Sequence, residues 1–163
     1  MHDDVSALVK ELSLSPHPEG GYYRETFRSQ DTVRHPDTGN DRDVATSILF
    51  LLGARDFSAF HRLSSDEVWY HHGGGTIMLH KISSSGSYVA TSLGPEAAGA
   101  ERFQTTIPRR TWFAAEVVSG SYCLVGCAMA PGFTYEDFEL ADAEGLAHSF
   151  PEHRELIQRL SRS

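Results

Sequence analysis

Between residues 44 and 129 the chain is a succession of short apolar or alternating segments, each closed by turn-forming residues, with no helical periodicity anywhere in the stretch. The segments 44–52, 57–63, 67–71, 76–82, 88–93, 102–107, 111–117 and 121–129 are rich in β-branched and aromatic residues. Gly53, Ser64-Ser65-Asp66, Gly73-Gly74-Gly75, residues 83–86 and 94–99, Pro108 and Ser119-Gly120 separate them. Strands this short and this regularly punctuated predict an all-β sandwich or barrel of the jelly-roll kind. A parallel α/β sheet is disfavoured, because the crossover helices it needs leave a 3.6-residue pattern that is missing here.

The flanks read differently. Val5, Leu8, Val9 and Leu12 recur at helical spacing behind the capping candidates Asp3, Asp4 and Ser6, which predicts a short helix ending before Pro16 and Pro18. His17-Pro18-Glu19-Gly20-Gly21 reads as a turn, since prolines on both sides of His17 disfavour helix and two glycines permit unusual backbone angles. A strand is predicted over 22–27, and a mobile loop over 29–43, where Pro36, Gly39 and Asn40 sit among charges without periodicity. After Pro131-Gly132, the alternation of Phe133 and Tyr135, then Phe138 and Leu140, suggests a last strand. Residues 151–160 read as a helix with Ser149 as its cap and Pro151 in its first turn. No repeat or second boundary interrupts the chain, so residues 1–163 are expected to form one domain.

The formal net charge is −8 and the basic residues are scattered singly, which argues against nucleic acid and anionic membrane surfaces as partners. The longest apolar stretch, 44–52, is far shorter than the ~20 residues that span a bilayer, and no signal-peptide pattern follows the acidic start. A soluble cytoplasmic protein is expected. Cys123 and Cys127, the only two cysteines, lie on one predicted strand. They would stand about 13 Å apart, beyond bridging distance, and read as buried free thiols.

Four of the nine histidines fall between residues 61 and 80. A period of two puts Phe57, Ala59, His61 and Leu63 on one face, and Glu67, Trp69 and His71 on one face of the next strand. If Ser64-Ser65-Asp66 closes these strands into a hairpin, His61 and Glu67 converge inside one barrel. A histidine and a carboxylate in an apolar cavity suit proton transfer, because burial and the partner's charge push the imidazole pKa in opposite directions. A structural ion pair is the plainer alternative. Arg24 and Glu25 alternate with Tyr23 and Thr26, so either one of the two charges faces the cavity or they form an exposed salt pair; in the cavity Arg24 would suit an anionic group through its bidentate fork. Trp69 and Trp112 supply either a stacking wall for a ring or simple packing. His72 is expected in solvent and His80 in a structural role, while His2, His35, His148 and His153 carry no functional weight.

These residues resemble a known superfamily. His61-Arg-Leu63-Ser-Ser-Asp-Glu67, with Gly74 seven positions after Glu67, is similar to the first cupin motif, and Ile107 to Phe113 occupies the place of the second. The stretch His17-Pro-Glu-Gly-Gly-Tyr-Tyr23, Ser65-Asp-Glu-Val-Trp69 and Gly126-Cys-Ala-Met-Ala-Pro-Gly-Phe133 together resemble a family of small cupin-like proteins with no established function. The resemblance implies a single jelly-roll β-barrel with short N- and C-terminal helices. It also implies a homodimer, since small cupins often pair through edge strands.

Metal-binding cupins use two histidines and a glutamate of the first motif and a histidine of the second. Here His61 and Glu67 match, while Leu63 and Phe113 stand where the other histidines belong. Leucine and phenylalanine have no lone pair to donate, so a metal-free site is expected; if a divalent metal binds, His61, Glu67 and His71 are its expected ligands. The deoxysugar epimerases share the barrel and work by acid and base without metal. That analogy implies His61 as base, Glu67 as its orienting charge, and Tyr22, Tyr23 or Tyr122 as acid. Arg24, Trp69, His71, Trp112 and Phe113 form the expected substrate-contacting set. The expected function is acid/base isomerisation or epimerisation of a small polar carbonyl or sugar-like compound. The competing readings are a non-catalytic binding module and a metal-dependent cupin enzyme. Replacing His61 by Ala is expected to abolish turnover with the fold intact.

Overall fold

The computed structural model describes residues 2–162. Helix α1 (His2–Glu11) is followed by β1 (Ser15–Pro16), β2 (Tyr22–Arg28), β3 (Thr32–Arg34), β4 (Asp41–Asp43), β5 (Thr46–Gly53), β6 (Phe57–Arg62) and β7 (Asp66–Ile82). Then come β8 (Tyr88–Leu93), β9 (Gln104–Ile107), β10 (Trp112–Ala130), a 3-10 turn (Tyr135–Asp137), β11 (Glu139–Leu140), α2 (Ala143–Ser149) and α3 (Arg154–Arg159). The result is the expected all-β jelly roll with short terminal helices, and every strand pair in it is antiparallel.

The long strand β10 organises the sheet. Its second half pairs with β5, from Tyr122 opposite Gly53 to Met129 opposite Thr46, and its first half pairs with β6. Strand β7 runs along nearly all of β10 and carries β8 and β9 on its other edge. The two segments predicted on either side of Gly73-Gly74-Gly75 are therefore one strand, as are the two on either side of Ser119-Gly120. These glycines serve a close crossing rather than a turn. A Cβ on Gly75 would collide with the Ser119 carbonyl, and one on Gly120 would lie 2.9 Å from Gly75 Cα. Register shifts at Val117, Ser119 and Leu124 bend both strands together from one half of the barrel to the other.

The predicted hairpin between 57–63 and 67–71 does not form. β6 pairs with β10 and β11, and β7 pairs with β10, β8 and β9, so the two strands meet across the barrel instead of side by side. Residues 29–43 are likewise not an irregular loop but contain the β3–β4 hairpin. Arg42 anchors it to Asp137 at 2.8 Å, and His35 is buried with Nε2 3.0 Å from Ser65 Oγ. In place of a last strand, residues 133–140 form a 3-10 turn and the two-residue β11. Ser149 closes α2 by donating to the Gly145 carbonyl instead of capping the final helix.

One apolar core fills the barrel, around Phe50, Leu52, Trp69, Ile77, Leu79, Phe113 and Val125. A second, around Phe60, Ile82, Trp112, Leu146, Ile157 and Leu160, seats the C-terminal helices on the outside. Alternation explains the split: Phe60 points outward from β6 while Ala59 and His61 point inward. Both cysteines are buried and free. Among the described residues no helix is long and apolar enough to cross a membrane.

Candidate functional site

Register builds the wall of one cavity. Tyr23 lies opposite Phe50 and Glu25 opposite Ile48; Ile48 and Trp69 both lie opposite Cys127, and Thr46 and Glu67 both lie opposite Met129. These side chains share the inner face of β2, β5, β10 and β7. With His17, Glu19, Arg28, His61, Leu63 and the segment Phe133 to Phe138 they enclose a cavity of about 230 Å³.

Glu19 reaches it from the turn before β2. His17 N–H donates to the Gly21 carbonyl at 2.9 Å, Gly21 N–H donates to Asp56 at 2.9 Å, and Ala59 N–H donates to the Glu19 carbonyl at 2.7 Å. Gly20 has φ 112°, and a Cβ there would collide with the Phe57 carbonyl. Only glycine fits both constraints, so the chain folds back on itself and drives Glu19 inward.

Glu19 Oε2 lies 2.8 Å from His61 Nε2, and His61 Nδ1 donates to the Ala59 carbonyl at 2.7 Å. Both ring nitrogens are thus engaged. The ring is packed between Phe113, its cross-strand partner, at 4.1 Å and Phe138 at 5.4 Å. Burial pushes the His61 pKa down, but the charge and hydrogen bond of Glu19 outweigh it and hold it above the ordinary histidine value. Burial pushes Glu19 up, and His61 more than offsets it, so Glu19 stays an anion below the usual carboxylate range. His17 goes the other way. Burial lowers its pKa in spite of Glu19, and its Nδ1 accepts from the Glu19 N–H at 3.2 Å.

Glu67 is the third carboxyl. Trp69 Nε1 donates to its Oε1, and no hydrogen bond from any described residue reaches Oε2. Burial pushes its pKa up to about 7, with Glu19 adding to the rise and Trp69 and His61 opposing it. At neutral pH this carboxyl can both give and take a proton. Across the cavity the Tyr23 and Tyr135 hydroxyls are 3.0 Å apart. Burial and the bond to Tyr23 raise the Tyr135 pKa well above the ordinary tyrosine value. At the rim Arg28 donates to Glu25 at 2.9 and 2.7 Å and to Asp43 at 2.7 Å.

Of the residues singled out from sequence, the fold brings His61, Glu67, Tyr23 and Trp69 together in this cavity. Glu25, rather than Arg24, and Leu63 line it too, while the other expected catalytic and substrate-contacting residues lie elsewhere, which corrects that set. Tyr22 and Arg24 point away because they alternate with the inward Tyr23 and Glu25; Tyr22 lines an outer cleft beside Val5 and Asp56, and Arg24 is exposed. The ring and carbonyl of Tyr122 pack against Gly74 at the strand crossing. His71 sits one pleat beyond the cavity and donates from Nε2 to the Gly75 carbonyl at 3.0 Å. Trp112 belongs to the outer core under the Arg62 guanidinium, 4.5 Å from its ring centre, and Phe113 packs beneath His61 without lining the cavity. The residues that sequence reasoning missed are His17, Glu19, Tyr135 and Phe138. Glu19 had a signal in the His-Pro-Glu-Gly-Gly stretch, which reads as a turn until the turn is seen to project inward.

The metal centre common among cupins does not fit these residues. Leu63 and Phe113 replace two ligands, His61 Nε2 is held by Glu19, and His71 sits one pleat beyond the cavity with Nε2 bonded to the Gly75 carbonyl. Among the described residues no group of three or more His, Cys, Asp or Glu side chains is disposed to hold a metal ion.

The family model described as cupin superfamily (DUF985) matches residues 6–141. A crystal structure of a Shewanella oneidensis protein is similar to the chain at 38% identity and TM-score 0.86, covering 96% of each chain. A hypothetical protein from Leishmania major is similar at 33% identity and TM-score 0.88, covering 97% of this chain and 98% of that one. Oxalate decarboxylase from Bacillus subtilis shares the fold alone, at 18% identity and TM-score 0.55 over 36% of its length. A comparison with curated proteins gives no match. Motifs, barrel and relatives agree, and the chain belongs to the DUF985 family of the cupin superfamily.

Proposed function

We propose that the cavity binds a small polar carbonyl compound and isomerises or epimerises it by acid and base, without a metal. Glu67 is the proton-exchanging group: its buried carboxyl titrates near neutrality and keeps Oε2 open to the cavity. That is the observation that carries the reading. The Tyr23–Tyr135 hydroxyl pair is placed to donate to a carbonyl oxygen and stabilise the enolate formed when the neighbouring carbon loses its proton. His61, both of whose nitrogens are engaged, acts as the charge partner of Glu19 rather than as an exposed base. The fixed Glu19–His61 pair in turn sets the electrostatic field in which Glu67 titrates.

The test is solvent deuterium exchange. Small carbonyl compounds that raise the melting temperature are incubated with the protein in deuterium oxide, and carbon-bound deuterium is followed by NMR. Exchange that disappears in Glu67→Gln supports the reading. Ligands that bind without exchange or product would replace it with a binding module, a role that the fully hydrogen-bonded His61 also suits.

A further inference from the structure

Three of the rings lining the cavity come from one short segment and are set nearly perpendicular to one another. Phe133 and Tyr135 have centroids 4.9 Å apart at 80°, Tyr135 and Phe138 6.0 Å at 73°, and Phe133 and Phe138 6.4 Å at 70°. The segment is fixed in place. Gly132 N–H donates to the Asp43 carbonyl at 2.7 Å, Phe133 N–H to Thr46 Oγ1 at 2.9 Å, and Asp137 holds Arg42. A rigid corner of π surface is ready before any ligand arrives, so little ordering cost falls on binding.

The charges around this corner are unevenly spent. Glu25 is closed by Arg28 and Glu19 by His61. The Arg28 fork is exhausted on Glu25, Asp43 and the Phe133 carbonyl, so among the described residues no free cation lines the cavity to receive a carboxylate or phosphate. Glu67 alone has no counter-charge of its own, and with 8% of its surface exposed it is more than nine-tenths buried. An anion entering here meets three carboxyl groups. A neutral molecule gains nothing from the quadrupoles of the rings or from the charge of Glu67, whereas a monovalent organic cation engages both.

We propose that the ligand of this cavity carries one positively charged nitrogen, seated among Phe133, Tyr135 and Phe138 with Glu67 as its counter-charge. This names the substrate class for the acid/base reading and rests on that reading only in taking the cavity as the site. A cationic nitrogen beside a carbon acid also makes that carbon easier to deprotonate, so the recognition element assists the proposed chemistry. The cavity's volume of about 230 Å³ leaves room for a small ammonium compound.

The experiment measures binding of tetramethylammonium, choline, choline's uncharged isostere with a quaternary carbon in place of nitrogen, and oxalate to the full chain by calorimetry. Choline and tetramethylammonium are expected to bind, choline at least about tenfold more tightly than its isostere, and oxalate not at all. The double substitution Tyr135→Leu/Phe138→Leu keeps apolar bulk but removes π surface, and should cost choline about tenfold while leaving the isostere nearly unchanged. Should that variant fail to fold, the isosteric Glu67→Gln provides the same test and should likewise erase the preference for charge. Equal or tighter binding of the isostere, binding of oxalate, or no binding of either cation overturns the proposal. Cation binding without deuterium exchange supports it and overturns catalysis; exchange on uncharged carbonyls without charge preference does the reverse.

Discussion

His61 Nε2 and Glu19 Oε2 lie 2.8 Å apart with both side chains almost wholly buried, at 3% and 7% exposure, joining the turn before β2 to the strand across the barrel. A buried ion pair contributes little over a well-packed apolar pair, but removing one member strands the other charge. His61→Ala should therefore cost about 3–5 kcal/mol, which changes the expectation that the substitution leaves the fold untouched. Glu19→Gln should cost less, because the amide can still bond the imidazole. The double variant should be more stable than the sum of the single effects by over ~1 kcal/mol, measured by urea unfolding. Strict additivity would mean that the pair is not coupled.

Glu67 gives the stability a pH signature. Its pKa rises from an ordinary 4.5 to about 7 on folding, so between those values the folded state holds a proton that the unfolded state has released. Stability must then fall as pH rises across this window and level off above it. The shift is worth on the order of 3 kcal/mol. Glu67→Gln should remove this slope, becoming more stable relative to the parent protein as pH climbs from 5 to 8. A parent-minus-variant difference that stays flat over that range would place the Glu67 titration elsewhere.

Much of this was legible in the chain, and what was not has identifiable physical reasons. Turn residues and period-two alternation marked the strands, and His61, Glu67 and Trp69 could be put on inward faces because alternation is local, while the choice between Tyr22 and Tyr23 stayed open. Which strand pairs with which is not local. The His61–Glu67 proximity was anticipated through a hairpin, yet it arises from two strands meeting across the barrel, each paired to β10. The glycines at 73–75 and 119–120 looked like turns because a turn and a close strand crossing both need a missing Cβ. Glu19 was hidden for the same reason: the turn was visible, but its inward projection depends on contacts with Asp56, Phe57 and Ala59, which lie far along the chain.

The donor set predicts the response to metal. With two ligand positions held by Leu63 and Phe113 and His61 committed to Glu19, protein purified without added metal should carry well under one iron, manganese, nickel or zinc per chain by elemental analysis. A chelator should leave its melting temperature unchanged. A stoichiometric transition metal would show that the Glu19–His61 contact opens in solution to free a ligand.

Two glycines with left-handed backbones separate strain from collision. Gly39 has φ 72° in the β3–β4 turn and would meet nothing within 4 Å if it carried a Cβ. Gly39→Ala should pay only the conformational cost of about 1–2 kcal/mol. Gly20 has φ 112°, and its added Cβ would strike both the Phe57 carbonyl and the Arg162 guanidinium. The guanidinium can swing aside, but the carbonyl belongs to β6 and cannot move without disturbing the hydrogen bond that Ala59 makes to Glu19. Gly20→Ala should therefore cost clearly more than Gly39→Ala by thermal unfolding, and should also weaken ligand binding by displacing Glu19 from the cavity. If the two substitutions cost the same, backbone strain alone accounts for both, and the turn at Gly20 has slack enough to hold Glu19 in more than one place.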